Sequence, residues 1–328
     1  MKARPDAARA LAGIAGAVFA CCALAAAAQN YPAKPIRFIA PFPPGGSTDF
    51  LARIVALKMS ESIGQQVVVE NRGGAAGTIG VELASRAAPD GYTIVMGHIG
   101  TFGVNPTLYP KLPYDPVNGF APITLLAMVP NGMVVHPSLP ARSVKEFLAL
   151  ARAKPKQLLY GSGGNGSAAH LAAAYFELLA KVELTHVPYK GTGPALIDLV
   201  AGQTSMMITG MPAVIPHVRS GKLRLLAVGT SKRLALMPEV PTIAEAGVPG
   251  YEATQWYGVL APAGTPREIV MRLNAEMVKA LARPEVREKL AADGAIPVGN
   301  TPEQFGAHIK AEIARWAPVV KASGAQPD

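Results

Sequence analysis

The feature that most limits how this chain can fold is a repeated unit: a short apolar run, a Gly- or Pro-rich break, then a helical pattern. Residues 36–40 (Ile-Arg-Phe-Ile-Ala) read as a strand, stopped by Pro-Phe-Pro-Pro-Gly-Gly at 41–46. A helix follows in which Leu51, Ile54, Val55 and Met59 share a face, with Ser47 or Thr48 as its cap. A strand at 67–69 leads through the turn 73–77 into a helix ending near 87. After the turn 89–91 comes a strand at 92–96. The pattern pauses over the loop-rich stretch 103–120 and restarts with a strand at 133–135, a helix at 143–153 and a strand at 158–160. A helix at 167–181, a strand at 184–187, a helix at 194–201 and strands at 206–208 and 223–228 continue it. A strand near 257–260 and two amphipathic helices, 266–283 and 302–322, close the chain. Repetition at this spacing predicts an α/β fold with parallel strands and helices on both faces.

The length, 328 residues, suits about two compact units. There is no 20–50-residue repeat and no low-complexity linker, and helices return at the end. The two lobes are therefore expected to be nested in sequence: 29–128 with 252–328 as lobe 1, and 129–251 as lobe 2.

The first 28 residues differ from the rest. Lys2, Arg4 and Arg9 form a basic start, residues 11–24 an uncharged apolar run, and Ala26-Ala27-Ala28 a small-residue site before Gln29. That is the pattern of an export signal cut near Ala28, its apolar run too short for a comfortable membrane span. Export places the mature protein in the periplasm. Both cysteines, Cys21 and Cys22, leave with this leader unless one is lipidated, so the mature chain has no disulfide or thiolate site. The formal charge of +9 drops to about +7, because the leader carries three basic residues against one acidic. The remaining charge is dispersed, aromatic residues are 6% of the chain, and no basic run or stacking box exists. No nucleic-acid partner is expected.

Three Gly/Ser/Thr loops at strand ends carry the candidate chemistry. The first, 41–49, joins a strand end to a helix start. Gly45 and Gly46 allow close backbone approach, free helix N–H groups favour an anion, and Ser47 and Thr48 add hydroxyls. Asp49 in the first turn would satisfy N–H groups itself or face a ligand's ammonium. The second loop, 161–167 (Gly-Ser-Gly-Gly-Asn-Gly-Ser), matches G-x-G-x-x-G through Gly161, Gly163 and Gly166. Glu183, however, precedes the next strand instead of ending it, which is wrong for a ribose-binding acid, so an anion-accepting loop with Ser162, Asn165 and Ser167 as donors is preferred. The third, 187–193, offers Tyr189 as a wall, Lys190 as a counter-charge, and Gly191 and Gly193 for inward N–H groups. The six histidines show no H-E-x-x-H and no paired spacing, so neither a metal nor any other cofactor is expected. Ser167 and His170 lie three apart on one helix, but no G-x-S-x-G surrounds them, and no enzymatic activity is expected.

Taken in order, these residues closely resemble the Bug/TctC-type extracytoplasmic solute receptors. The resemblance runs through Ala40-Pro41-Phe42-Pro43-Pro44-Gly45-Gly46-Ser47-Thr48-Asp49, Val69-Glu70-Asn71-Arg72-Gly73-Gly74 and Pro89-Asp90-Gly91-Tyr92. It continues through the loop 161–167 with His170-Leu171, Val187-Pro188-Tyr189-Lys190-Gly191, Pro238-Glu239-Val240-Pro241, Trp256-Tyr257 and Ala261-Pro262-Ala263-Gly264. It implies a two-lobed periplasmic-binding-protein type II fold, each lobe a mainly parallel sheet flanked by helices, with the ligand cleft between them. It also implies a small carboxylate ligand (a dicarboxylate, tricarboxylate, acidic amino acid or aromatic carboxylate) and a monomer that serves tripartite tricarboxylate transporter subunits in the membrane. A sensory protein passing its closed form to a signalling partner is the alternative. The ligand-binding residues implied are Phe42, Pro44, Gly45, Gly46, Ser47, Thr48, Asp49, Thr78 and His98 from the first lobe. From the second they are Ser162, Gly164, Asn165, Gly166, Ser167, His170, Tyr189, Lys190, Gly191 and Thr209. The chain departs from the family pattern at Ser205, where an Asp is expected.

Overall fold

The computed structural model describes residues 31–323 and 325–326, and the expected leader lies outside them. Strands β1 (Ile36–Ala40), β2 (Val67–Asn71) and β3 (Thr93–His98) alternate with helices α1 (Ser47–Ile63) and α2 (Thr78–Ser85). A π-helical turn (Ile99–Val104) and the short α3 (Asn105–Leu108) lead to β4 (Phe120–Val135). Then come α4 (Val144–Ala153), β5 (Leu159–Ser162), α5 (Ala168–Ala180), β6 (Thr185–Pro188) and α6 (Thr192–Val200). They are followed by β7 (Met206–Gly210), α7 (Met211–Arg219) and β8 (Arg224–Val228). The chain returns through β9 (Thr254–Pro262), α8 (Arg267–Ala282), α9 (Pro284–Ala292), β10 (Ile296–Pro297) and α10 (Pro302–Ser323).

The strands lie in the order β2-β1-β3-β9-β4-β7-β5-β6, with β8 and β10 also on β4. The outer strands pair in parallel, as the βαβ pattern requires: β1 with β2 and β3, and β5 with β6 and β7. The centre is antiparallel. There β4 and β9 run as outgoing and returning crossings between the lobes, paired from Phe120 opposite Pro262 to Pro130 opposite Thr254. From Asn131 onward β4 leaves β9 and pairs instead with β7 and β8.

Side chains alternate across a strand, and here both faces are covered by helices, so both sets are apolar. Phe38 and Ala40 pack with Leu51, Val55 and Met59 of α1, whereas Ile39 joins Phe102, Trp256 and Phe305 on the opposite face. In the second lobe Met206 and Ile208 face Phe147 and Phe176, while Met207 faces Leu199 and Val214. Helix α1 stops at Gly64, whose left-handed φ of 70° suits a residue without a side chain.

Three features differ from the sequence reading. The stretch 103–120 contains helical turns, and the strand expected at 133–135 starts at Phe120, because period-2 burial is broken by Pro122, Pro130 and register shifts. Helix α9 was not expected; Pro284 opens it in place of continuing α8. The cap of α1 is Gly46, with no side-chain cap bond, so Ser47 and Thr48 sit inside the first turn.

The C-terminal helix is tied to the crossing strand by a buried carboxylate. Glu312 accepts from the indole N–H of Trp256 at 3.0 Å and from that of Trp316 at 3.1 Å. These are the only two tryptophans in the chain. Glu312→Ala would leave both buried donors unpaired, and we expect it to lower stability by about 2–4 kcal/mol. Urea unfolding followed by tryptophan fluorescence reads this directly.

Candidate ligand-binding site

The first loop is held by its own acid. Asp49 Oδ1 accepts from Arg53 at 2.9 Å and from the Asn71 amide at 3.0 Å, and Oδ2 accepts the Gly45 N–H at 3.4 Å. Asn71 also donates to the Phe42 carbonyl at 2.9 Å, so loop, helix and β2 are laced together. Asp49 thus does what the first of its two sequence readings suggests, satisfying an N–H at the loop. Thr78 is likewise engaged, accepting from Asn105 at 3.2 Å.

Phe42 stacks on His98 at 4.7 Å, and His98 meets Tyr257 edge-on at 5.7 Å, which makes an aromatic wall behind the loop. His98 Nδ1 accepts from the Gly100 N–H at 2.6 Å and the Thr101 N–H at 3.4 Å. Burial holds the ring neutral by lowering its pKa to about 4, so the single proton belongs on Nε2, a donor.

In the second lobe the loop 161–167 is built around two stacked imidazoles, His170 and His186, 4.1 Å apart and within 4° of parallel. Ser162 Oγ is 2.6 Å from His186 Nε2 and accepts the Gly164 N–H at 3.1 Å, and His170 Nδ1 accepts the Gly166 N–H at 3.0 Å. Ser167 caps α5 by accepting the His170 N–H at 3.3 Å, so Ser167 and His170 do not form a nucleophile–base pair through that contact. Glu183 lies on the surface with Lys156, 3.5 Å away. Tyr189 turns its hydroxyl to Asp198 at 2.6 Å, and Lys190 is exposed.

The two lobes meet through backbone. A side chain at Gly191 would strike Pro43, one at Gly193 would come within 2.3 Å of the Pro44 carbonyl oxygen, and one at Gly210 within 2.5 Å of Ser47 Oγ. A side chain at Gly166 would strike Leu108. Between these contacts lies a narrow cavity of about 20 Å³. From the first lobe and the returning strand it is lined by Phe42, Pro43, Gly46, Ser47, Thr48, His98, Gln255 and Tyr257. From the second it is lined by Ser167, Ala168, Ala169, Thr192 and Thr209.

Three helix starts line this space: α1 at 46–48 and α6 at Thr192, neither with a side-chain cap, and α5 at 167–169, which Ser167 caps. Their first-turn N–H groups precede the first i→i−4 bonds and carry the positive ends of the helix dipoles. No Lys, Arg, Asp or Glu lines the space. Such a site holds an anion with dipoles and N–H donors, not with a salt bridge.

Of the expected residues, Phe42, Gly46, Ser47, Thr48, His98, Ser167 and Thr209 line the cavity. Pro44, Gly45, Gly164, Asn165, Gly166 and Gly191 belong to the loops around it, while Tyr189 and Lys190 are not among its lining residues. Sequence reasoning missed Pro43 and Thr192, although both sit inside quoted loops, and Tyr257, which sits in a quoted motif. Gln255 carries no local signal. Ser205 is remote: its Oγ accepts the Leu159 N–H at the opposite end of β5 from Ser162.

Two outcomes follow. Gly193→Ala has an ordinary φ but no space beside Pro44, so it should fold normally and hold the lobes apart. Small-angle scattering should show a larger radius, and ligand affinity should fall at least about tenfold. For pH, burial lowers both His98, to about 4, and His186, to about 3, the latter also through His170. The unfolded chain therefore binds these protons first. Stability should be full above about pH 6.5 and fall as pH drops toward 4, by up to about 1.4 kcal/mol per pH unit per histidine. Chemical denaturation at pH 7.5 and 5.0 checks this, and His98→Asn should flatten the slope.

Comparison with known proteins shows the family. The family described as tripartite tricarboxylate transporter family receptor matches residues 51–325. Protein BugT of Bordetella pertussis is 42% identical over 300 residues, covering 91% of this chain and 92% of that one. Among solved structures, R. palustris Rpa4515 with adipate is 41% identical with a TM-score of 0.88, covering 91% and 100% of the two chains. MatC from Rhodopseudomonas palustris with bound malate is 36% identical with a TM-score of 0.84, covering 88% and 100%. The chain belongs to the tripartite tricarboxylate transporter receptor family, whose two-lobed α/β fold it shares.

Proposed function

We propose that this protein is a periplasmic receptor that captures a small carboxylate between its lobes and presents it to a membrane transporter of the tripartite tricarboxylate type. One observation carries the reading: three helix N-termini from both lobes, two of them without a side-chain cap, line one cavity that contains no charged side chain. An anion bridging them would draw the lobes together, which gives closed and open forms different affinities for the ligand. The family supports the transporter partner, and relatives solved with adipate and with malate support the carboxylate class. Family and neighbours are binding proteins, and the cavity's histidine is buried and locked by backbone N–H groups, which suits holding a ligand more than moving its protons.

On this reading the lobes divide near residues 129 and 251, where β4 and β9 cross. The ligand contacts are the cavity-lining residues of both lobes, and the loops 161–167 and 187–193 act mainly as their frame. The working unit is a monomer, released to the periplasm after cleavage near Ala28.

Thermal unfolding against a panel of mono-, di- and tricarboxylates tests the proposal. At least one carboxylate at 100 times its Kd should stabilise the protein by about 2.7 kcal/mol, a rise of a few degrees in Tm. Stabilisation by none would refute it.

A further inference from the structure

One of the loops at the strand ends leaves most of its side chains outside the cavity. Of residues 187–193, only Thr192 lines it. Tyr189 and Lys190 lead into α6, whose sequence Thr-Gly-Pro-Ala-Leu-Ile-Asp-Leu-Val has a single charged residue, Asp198. Tyr189 donates its hydroxyl to that carboxylate at 2.6 Å. Ala195, Leu196 and Leu199 turn inward and join Met207 and Val214. The outward face carries Ile197, which at 70% is the most exposed large apolar side chain among the described residues. Pro194 and Val200, three residues to either side on the same face, are half-buried. A helix apolar on every side belongs in an interior, yet this one lies at the surface. Uncovered apolar surface edged by charge marks an interaction site. Here the edge is Lys190, which is exposed and whose ammonium has no ion pair or hydrogen bond among the described residues.

The position of the helix gives this face its meaning. At Gly191 and Gly193 the backbone lies too close to Pro43 and Pro44 of the other lobe for any side chain, and Pro44 and Gly45 are exposed beside them. Lys190, the start of α6 and the first loop therefore form one continuous surface only while the lobes touch. We propose that the membrane transporter recognises the closed receptor at this surface, through a periplasmic segment of a transporter subunit that carries an acidic side chain beside apolar ones. The apolar part covers Ile197, and the acid pairs with Lys190. Charge favours the same partner: residues 129–251 hold twelve Lys and Arg against six Asp and Glu, so an acidic segment is drawn to this lobe. A partner seated across the seam binds the closed form better than the open one, which lets it read whether the receptor is loaded. The inference rests on the transporter-receptor reading.

Variants of the whole chain, produced in the native cells in place of the original protein, test it. Ile197 is exposed and outside the cavity lining, so Ile197→Asp should keep the affinity for a bound carboxylate within about twofold of the original. Uptake of radiolabelled succinate, malate, adipate or citrate, whichever the protein binds, is then measured at saturating concentration. In Ile197→Asp it should fall at least about tenfold, the loss expected when a charge enters the middle of an interface. Ile197→Val should retain uptake, Lys190→Glu should depress it, and Lys190→Arg should not. Benzoylphenylalanine at position 197 should crosslink to a transporter subunit on illumination, and more so with carboxylate present. The same group at position 57, an exposed leucine of α1, should not. Uptake unchanged in both Ile197→Asp and Lys190→Glu, no adduct, an adduct that ignores carboxylate, or capture of a second copy or a signalling protein overturns the inference while leaving a carboxylate receptor. Binding of no carboxylate, or uptake that does not need this protein, overturns the receptor reading and the inference with it.

Discussion

A single strand, β4, belongs to both halves of the molecule. Its first eleven residues pair with β9, and from Asn131 its ladder passes to β7 and β8. A β-ladder that changes partners must give up its register for a residue or two, and the groups exposed there need other partners. Asn131 provides them: its carbonyl accepts the Gly229 N–H at 2.7 Å, and its amide reaches Ala253, where the chain returns. This junction and the loops that touch across the cleft place one lobe against the other, together with Leu171 of α5 packed beside Trp316 of α10 and the Arg219–Asp293 pair at 3.6 Å.

Those touching loops explain the glycines and prolines better than flexibility does. Pro43 and Pro44 of one lobe pack on Gly191 and Gly193 of the other at distances that no side chain would permit. Close approach brings the starts of α1, α5 and α6 to one cavity, where their dipoles present their positive ends. The general positive charge of the chain plays no direct part there. Lys190, the one cation in the candidate loops, is exposed.

The fold class and the three loops were legible because they rest on local chemistry. Short apolar runs with helical patterns between them give the strands and helices. Gly and Pro at strand ends give the turns, as at 41–46 and 161–166. The elements missed, β4 before residue 133 and α9, are those in which local signals conflict. Pro122 and Pro130 read as breaks but sit in a strand with irregular register, and Pro284 reads as an end but starts a helix. Within the site, Ser47, Thr48 and Ser167 were found through their loops and His98 through the family resemblance, whereas Gln255 is an ordinary strand residue until its neighbours are known.

The sequence by itself determined the alternating elements, the glycine-lined loops at strand ends and the family to which they point, since all of these depend on a residue and its near neighbours. Only the tertiary structure decided which groups face the cavity and with what polarity. Asp49 and Tyr189 turn aside because Arg53, Asn71 and Asp198 take their polar atoms. Tyr257 becomes a committed donor to Gln255 because of the Ala253 carbonyl, reached only through Asn131 on another strand. Hydrogen-bond direction is set by the whole chain of partners, and those partners are brought together only by the fold.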